Sequence, residues 1–169
     1  VALVNQALAD HAQALLDDAA GRGKRAIERV EADLIAFARL LVPQVRLRKA
    51  LSDPGLPPQP KRALIEELGQ GQLDRSSVEL LATIASRQRV PPRAFPGLVA
   101  ELAAMAAFTA AERAGELERV EAELFELATL VNRQPGLRSA LTNPGLPVEN
   151  KRALVADLLG GRASERTAT

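Results

Sequence analysis

The chain has 169 residues, with 22 Lys and Arg against 21 Asp and Glu and a formal charge of +1. It contains no Cys, Trp or Tyr, one His, one Met and four Phe, which excludes a disulfide scaffold, a cysteine-based zinc site and a cysteine hydrolase. Near-neutral charge and 2% aromatic content argue against nucleic-acid binding, while 47% hydrophobic and 25% charged residues suit a folded domain with aliphatic cores.

In chain order, Val1 to Ala20 is predicted as a first helix, with Val4, Leu8, Ala12, Leu15 and Ala19 buried at helical spacing. The start at Val1 suggests a trimmed or excised terminus, and no signal-peptide pattern follows it. His11 has no Cys, second His or carboxylate cluster at ligand spacing and is expected at the surface or at the edge of this stripe. Gly21-Arg22-Gly23-Lys24 lacks a preceding strand and the Walker spacing, so it reads as a flexible linker rather than a phosphate loop. Ile27, Val30, Leu34, Phe37, Ala38 and Leu41 form the buried stripe of a second helix, with Arg29 and Asp33 paired on its solvated face. A two-turn helix from Val45 to Leu51 ends at the turn Asp53-Pro54-Gly55, and Lys61 to Leu68 forms the next helix, stopped by Gly69 and Gly71. Asp74 is the predicted N-cap of a helix through Val78, Leu81 and Ile84 that ends before Pro91 and Pro92. From about Pro96 to Arg113 the residues are apolar almost all round, which predicts an enclosed helix placed between two halves of the molecule. The apolar run Leu98 to Ala111, interrupted by Glu101, falls short of the ~18 to 20 residues of a membrane span.

The remainder repeats what came before. Ser52-Asp53-Pro54-Gly55-Leu56-Pro57 returns 90 residues later as Thr142-Asn143-Pro144-Gly145-Leu146-Pro147, and Lys61-Arg62-Ala63-Leu64 returns as Lys151-Arg152-Ala153-Leu154. The same offset lays Glu28-Arg29-Val30-Glu31-Ala32 over Glu118-Arg119-Val120-Glu121-Ala122, and Leu8, Ala12 and Leu15 over Leu98, Leu102 and Met105. A unit this long is a duplicated small domain rather than a solenoid repeat, whose period is ~20 to 50 residues. Leu117, Val120, Leu124, Leu127, Ala128 and Val131 are then a second buried stripe, with Arg119 and Glu123 paired on its solvated face. Pro135 to Leu141 and Lys151 to Leu159 are further helices, the latter stopped by Gly160 and Gly161. If both stripes are core, Leu34→Ala and Leu124→Ala cost similar amounts, about 2 to 5 kcal/mol. The expected architecture is all-α, with copy one at residues 1–95, an incomplete copy two at residues 96–169, and the helix 96–113 shared between them. Val78 corresponds to Ala168, so either the second copy has decayed there or, the favoured expectation, the chain is a fragment of a longer protein. Its Arg-, Ala-, Gly- and Pro-rich composition suggests a high-GC bacterial source.

No constellation for catalysis stands out. Asp17-Asp18 and Glu66-Glu67 read as solvated pairs without a cleft partner. The recurring Lys-Arg pair opposes the dipole of the helix it opens, so it reads either as solvated residues inherited through duplication or as a contact to an acidic partner. Met105 and Phe108 read as core residues, or otherwise as part of a groove for a partner helix.

Ala104-Met105-Ala106-Ala107-Phe108, followed by Glu112-Arg113, Glu118-Arg119-Val120 and Leu124, resembles the first two helices of the delta subunit of bacterial F-type ATP synthase, a relative of the mitochondrial oligomycin-sensitivity-conferring protein. Asn132 to Leu141, the turn after it and the Lys151-to-Leu159 helix look like the third and fourth helices of the same amino-terminal domain, and a duplicated domain is similar to the extended actinobacterial delta subunits. The resemblance implies a non-catalytic stator component at the cytoplasmic face of the membrane. Its partners would be the amino-terminal helices of alpha subunits and the b subunit of the peripheral stalk, with no cofactor, metal, nucleic acid, membrane insertion or small-molecule ligand. In the family the alpha-subunit helix lies against helices one and five, which implies a groove at Leu8, Leu15, Val78, Leu81 and Ile84 in copy one and half a groove at Leu102, Met105 and Phe108 in copy two. The competing expectations are an all-helical adaptor or regulator with an unrelated partner and, more weakly, a nucleic-acid-binding helical domain.

Overall fold

The computed structural model describes residues 6–87, 90–143 and 145–159. Among the described residues there are nine helices and no strand, the all-α fold predicted from periodicity. They are α1 (Gln6–Gly21), α2 (Lys24–Leu41), α3 (Val45–Ser52), α4 (Pro58–Leu68), α5 (Arg75–Arg87), α6 (Phe95–Ala114), α7 (Leu117–Arg133), α8 (Pro135–Thr142) and α9 (Val148–Leu159). The chain divides into two compact units, Val1–Arg113 and Ala114–Thr169. α6 thus belongs to the first unit.

In the first unit, Leu8, Ala12, Leu16 and Ala19 of α1 share one apolar cluster with Ile27, Val30, Leu34 and Leu41 of α2. Leu80, Leu81 and Ile84 of α5 and Leu98, Leu102 and Ala106 of α6 belong to the same cluster. α1 differs from expectation in one residue. Leu16 is fully buried and Leu15 only partly, because the chain follows Ala12 by four residues where the sequence equally allowed three. α6 is longer than its apolar run, and by length and composition it would suffice to cross a membrane. Here it packs as a core helix, with Phe95, Leu98, Val99, Leu102 and Ala106 buried.

Turn chemistry sets the connections. The Asp53 carboxylate accepts the Gly55 N–H at 2.8 Å, and the Asn143 side chain accepts the Gly145 N–H at the same distance, so both copies use one Asx turn. α4 starts at Pro58 instead of Lys61, since first-turn N–H groups have no intrahelical partner and proline lacks one anyway. At the end of α4 a Cβ on Gly69 would lie 2.5 Å from Leu73 Cγ, so glycine there permits the close approach of Leu73. Val4, Gly160 and Gly161 lie outside the described residues.

The second unit is packed differently from its repeat. Of the expected stripe on α7 only Val120 is buried; Leu117, Leu124, Leu127 and Val131 are half-buried and Ala128 is exposed. Phe125, on the same helix, is 74% exposed. α2 packs on α1, α3 and α5, whereas α7 packs on α8. The stripe has the same pattern as its counterpart but fewer helices of its own unit to close over it.

Candidate functional site

Of the residues expected to line a groove in copy one and half a groove in copy two, five are buried and three keep accessible surface. Leu8, Val78, Leu81, Ile84 and Leu102 are buried in the first-unit core, where α1 packs directly on α5. Leu15 and Met105 are partly buried against that core, and Phe108 is 42% exposed. The three with accessible surface lie on α1 and α6. The two helices are bridged by Gln13 Nε2 donating to Thr109 Oγ1 at 3.3 Å. A polar hollow lined by Gln13, Asp17, Glu112 and Arg113 sits at this seam. On the other side of α1, His11 Nε2 is 3.4 Å from Thr83 Oγ1 of α5, so His11 is a half-buried seam residue. Among the described residues no group of His, Asp and Glu could hold a metal ion.

Two charged residues expected to be solvated are buried. Asp33 pairs with Arg29 as predicted, at 2.9 Å, but its side chain is only 6% exposed. Its Oδ2 accepts the backbone N–H of Asp74 at 2.7 Å and the Ser77 hydroxyl at 2.9 Å, so it braces α2 against the start of α5. Lys61 is 4% exposed and its ammonium donates to the carbonyl of Ala85 at 2.7 Å. Ala85 lies in the last turn of α5, whose carbonyls lack intrahelical donors. Lys61 therefore opposes the dipole of its own helix but satisfies that of its neighbour. Burial pulls its ammonium below the ordinary lysine value, against the opposing pull of Asp53. Arg62, next to it, bonds Glu79 at 2.7 Å and Glu66 at 3.1 Å. Lys61→Met is expected to cost about 1 to 3 kcal/mol, because the Ala85 carbonyl is left without a donor. Urea unfolding checks this, and an unchanged midpoint would mean that water replaces the ammonium.

The Gly21-Arg22-Gly23-Lys24 segment joins α1 to α2, the interhelical connection expected from the sequence. Arg22 forms a two-pronged bond to the Asp74 carboxylate, both contacts at 2.8 Å, and a third to Ser76. Asp74 caps α5 through the Ser76 N–H at 2.8 Å, as the sequence predicts. The Arg22 guanidinium holds the Asp74 carboxyl below the ordinary carboxylate range, and its own proton is held more firmly in return. A carboxylate with a depressed folded-state pKa adds stability above its unfolded value, about 4, and that stability is lost as pH falls through the folded value. The Asp74→Asn chain is thus expected to be less stable near neutral pH and to lose less as the pH falls below about 4. Urea midpoints across that range check it; parallel acid profiles would contradict it.

In the second unit, Arg119 pairs with Glu123 at 2.8 Å, matching Arg29 and Asp33 in the first. Lys151 is half-buried and Arg152 exposed. Phe125, Glu126, Thr129, Leu130 and Arg133 line a mostly apolar hollow on the surface of α7.

The family model for the ATP synthase delta (OSCP) subunit matches this chain twice, over residues 9–103 and 99–169. The chain belongs to the ATP synthase delta (OSCP) subunit family. It is 41% identical over 135 residues to the ATP synthase subunit delta of Frankia alni, covering 80% of this chain and 49% of that protein. It is 36% identical over 135 residues to the subunit of Kineococcus radiotolerans, covering 80% and 49%. To that of Frankia casuarinae it is 35% identical over 157 residues, covering 90% and 57%. The chain spans about half the length of the curated relatives it matches. The two matches in this delta-family chain meet within α6, the helix that the 90-residue offset lays over α1.

Proposed function

We propose that this delta-family chain is the amino-terminal helical part of a non-catalytic stator component of F-type ATP synthase. It joins the catalytic head to the peripheral stalk during proton-driven ATP synthesis. The observation that carries the reading is the tandem family match over both copies. On this reading the partners are the amino-terminal helices of alpha subunits and the b subunit, and the protein sits peripherally at the cytoplasmic face of the membrane as part of the complex. The structure suits a holding role. The first unit is closed by a continuous aliphatic core and clamped by Asp33, Lys61 and Arg22, so load on one helix passes to its neighbours.

On this reading the groove residues that keep accessible surface, Leu15 on α1 and Met105 and Phe108 on α6, are contacts to alpha-subunit helices, while Leu8, Val78, Leu81, Ile84 and Leu102 are buried in the core. An affinity tag on the full-length polypeptide in its own cell tests the proposal. The expected result is co-purification of alpha and b subunits with ATP hydrolysis activity in the eluate. Recovery of a different partner set, without either subunit, would overturn it in favour of an unrelated adaptor.

A further inference from the structure

The corner where α2 turns into α3 carries a surface that the second copy lacks. Leu40, Val42 and Val45 are 37%, 55% and 51% exposed, and Arg39, Arg46 and Lys49 are exposed among them. No Asp or Glu occurs in the sequence between Asp33 and Asp53. Among the described residues, Arg39, Arg46 and Lys49 form no ion pair.

The internal repeat separates scaffold from surface here. Arg48 donates to the carbonyls of Leu41 and Val42 at the end of α2, and its counterpart Arg138 donates to the Asn132 carbonyl at the end of α7. That arginine completes the helix end in both copies and is present in both. The three free cations are not: Arg39, Arg46 and Lys49 correspond to Thr129, Gly136 and Ser139. Val42 and Val45 correspond to Asn132 and Pro135. The same helix–turn–helix forms without any of the five, so neither the turn nor the helix ends explain them. Single exposed aliphatic residues are ordinary, but three within six positions beside unpaired cations have the composition of a recognition face.

We propose that this corner docks an acidic, aliphatic-faced segment of a protein partner. Carboxylates of the segment meet Arg39, Arg46 and Lys49, and its aliphatic side chains cover Leu40, Val42 and Val45. The planar guanidinium groups suit carboxylates, which they bind through two parallel hydrogen bonds. A lipid surface is less well served, because the chain has no Trp or Tyr to anchor at a membrane interface and the apolar side chains here are short. This surface goes beyond the alpha-subunit face proposed above, which uses α1 and α6.

Titrating the full chain with a labelled helical peptide, glutamates on one face and leucines on the other, at low and high salt tests the proposal. Saturable binding is expected, weakened about tenfold or more by salt and by the double change Arg46→Glu/Lys49→Glu. Hydrogen exchange is expected to slow at residues 39–49. The pair Gly136→Glu/Ser139→Glu in the second copy is expected to leave binding unchanged, and circular dichroism of both variants guards against unfolding. No binding, binding insensitive to salt, equal loss in the second-copy variant, or preferential binding to phosphatidylserine vesicles would each overturn the proposal. Failure here leaves co-purification with alpha and b subunits untouched, so the two readings are separable.

Discussion

Leu34→Ala is expected to destabilise α2 by about 2 to 5 kcal/mol, while Leu124→Ala, the same change 90 residues later, costs α7 about 1 kcal/mol. Leu34 is fully buried among α1, α2 and α5, so truncation loses both transfer energy and the contacts of a cavity that its neighbours cannot close. Leu124 is half-buried and loses only part of that. Equal costs follow from the repeated pattern, and the packing corrects that expectation. Amide hydrogen exchange reads the two helices separately. Equal loss of protection in α2 and α7 would mean that the second stripe is packed as tightly as the first.

Asp33→Ala is expected to cost about 3 kcal/mol, more than an ordinary surface ion pair is worth. The change strands the Asp74 N–H and the Ser77 hydroxyl and releases Arg29, which also holds the carbonyl of Gln72 at 2.6 Å. Arg29 is half-exposed and can turn to water, which keeps the cost at the lower end for breaking a buried pair. Asp33→Asn retains an oxygen for the same donors and is expected to recover more than half of the loss. Urea unfolding of the three chains checks the order; an Asp33→Ala chain as stable as the parent would remove Asp33 from the framework.

Much of this architecture is legible in local chemistry. The Asp74 cap, both Asx turns and the stripe from Ile27 to Leu41 follow from side-chain reach, backbone preference and helical spacing, all settled within a few residues. What is not legible depends on partners far along the chain. Asp33 and Lys61 read as solvated because their acceptors and donors lie 24 to 44 residues away, at the two ends of α5. Leu15 and Leu16 both fit a helical stripe, and only the packed neighbour chooses between them. The groove residues obey the same limit: spacing identifies apolar faces, but which side chains close into the core and which stay open to solvent is decided by packing. Leu8, Leu81 and Ile84 close; Phe108 stays open.

On the proposed function, this chain holds an alpha-subunit helix. Calorimetric titration of the full 169-residue chain with the amino-terminal segment of the alpha subunit from the same organism tests it most directly. Saturable one-to-one binding, weakened when Phe108 is replaced by glutamate, is expected. Absence of any binding heat, with the segment helical and the chain folded, would contradict it.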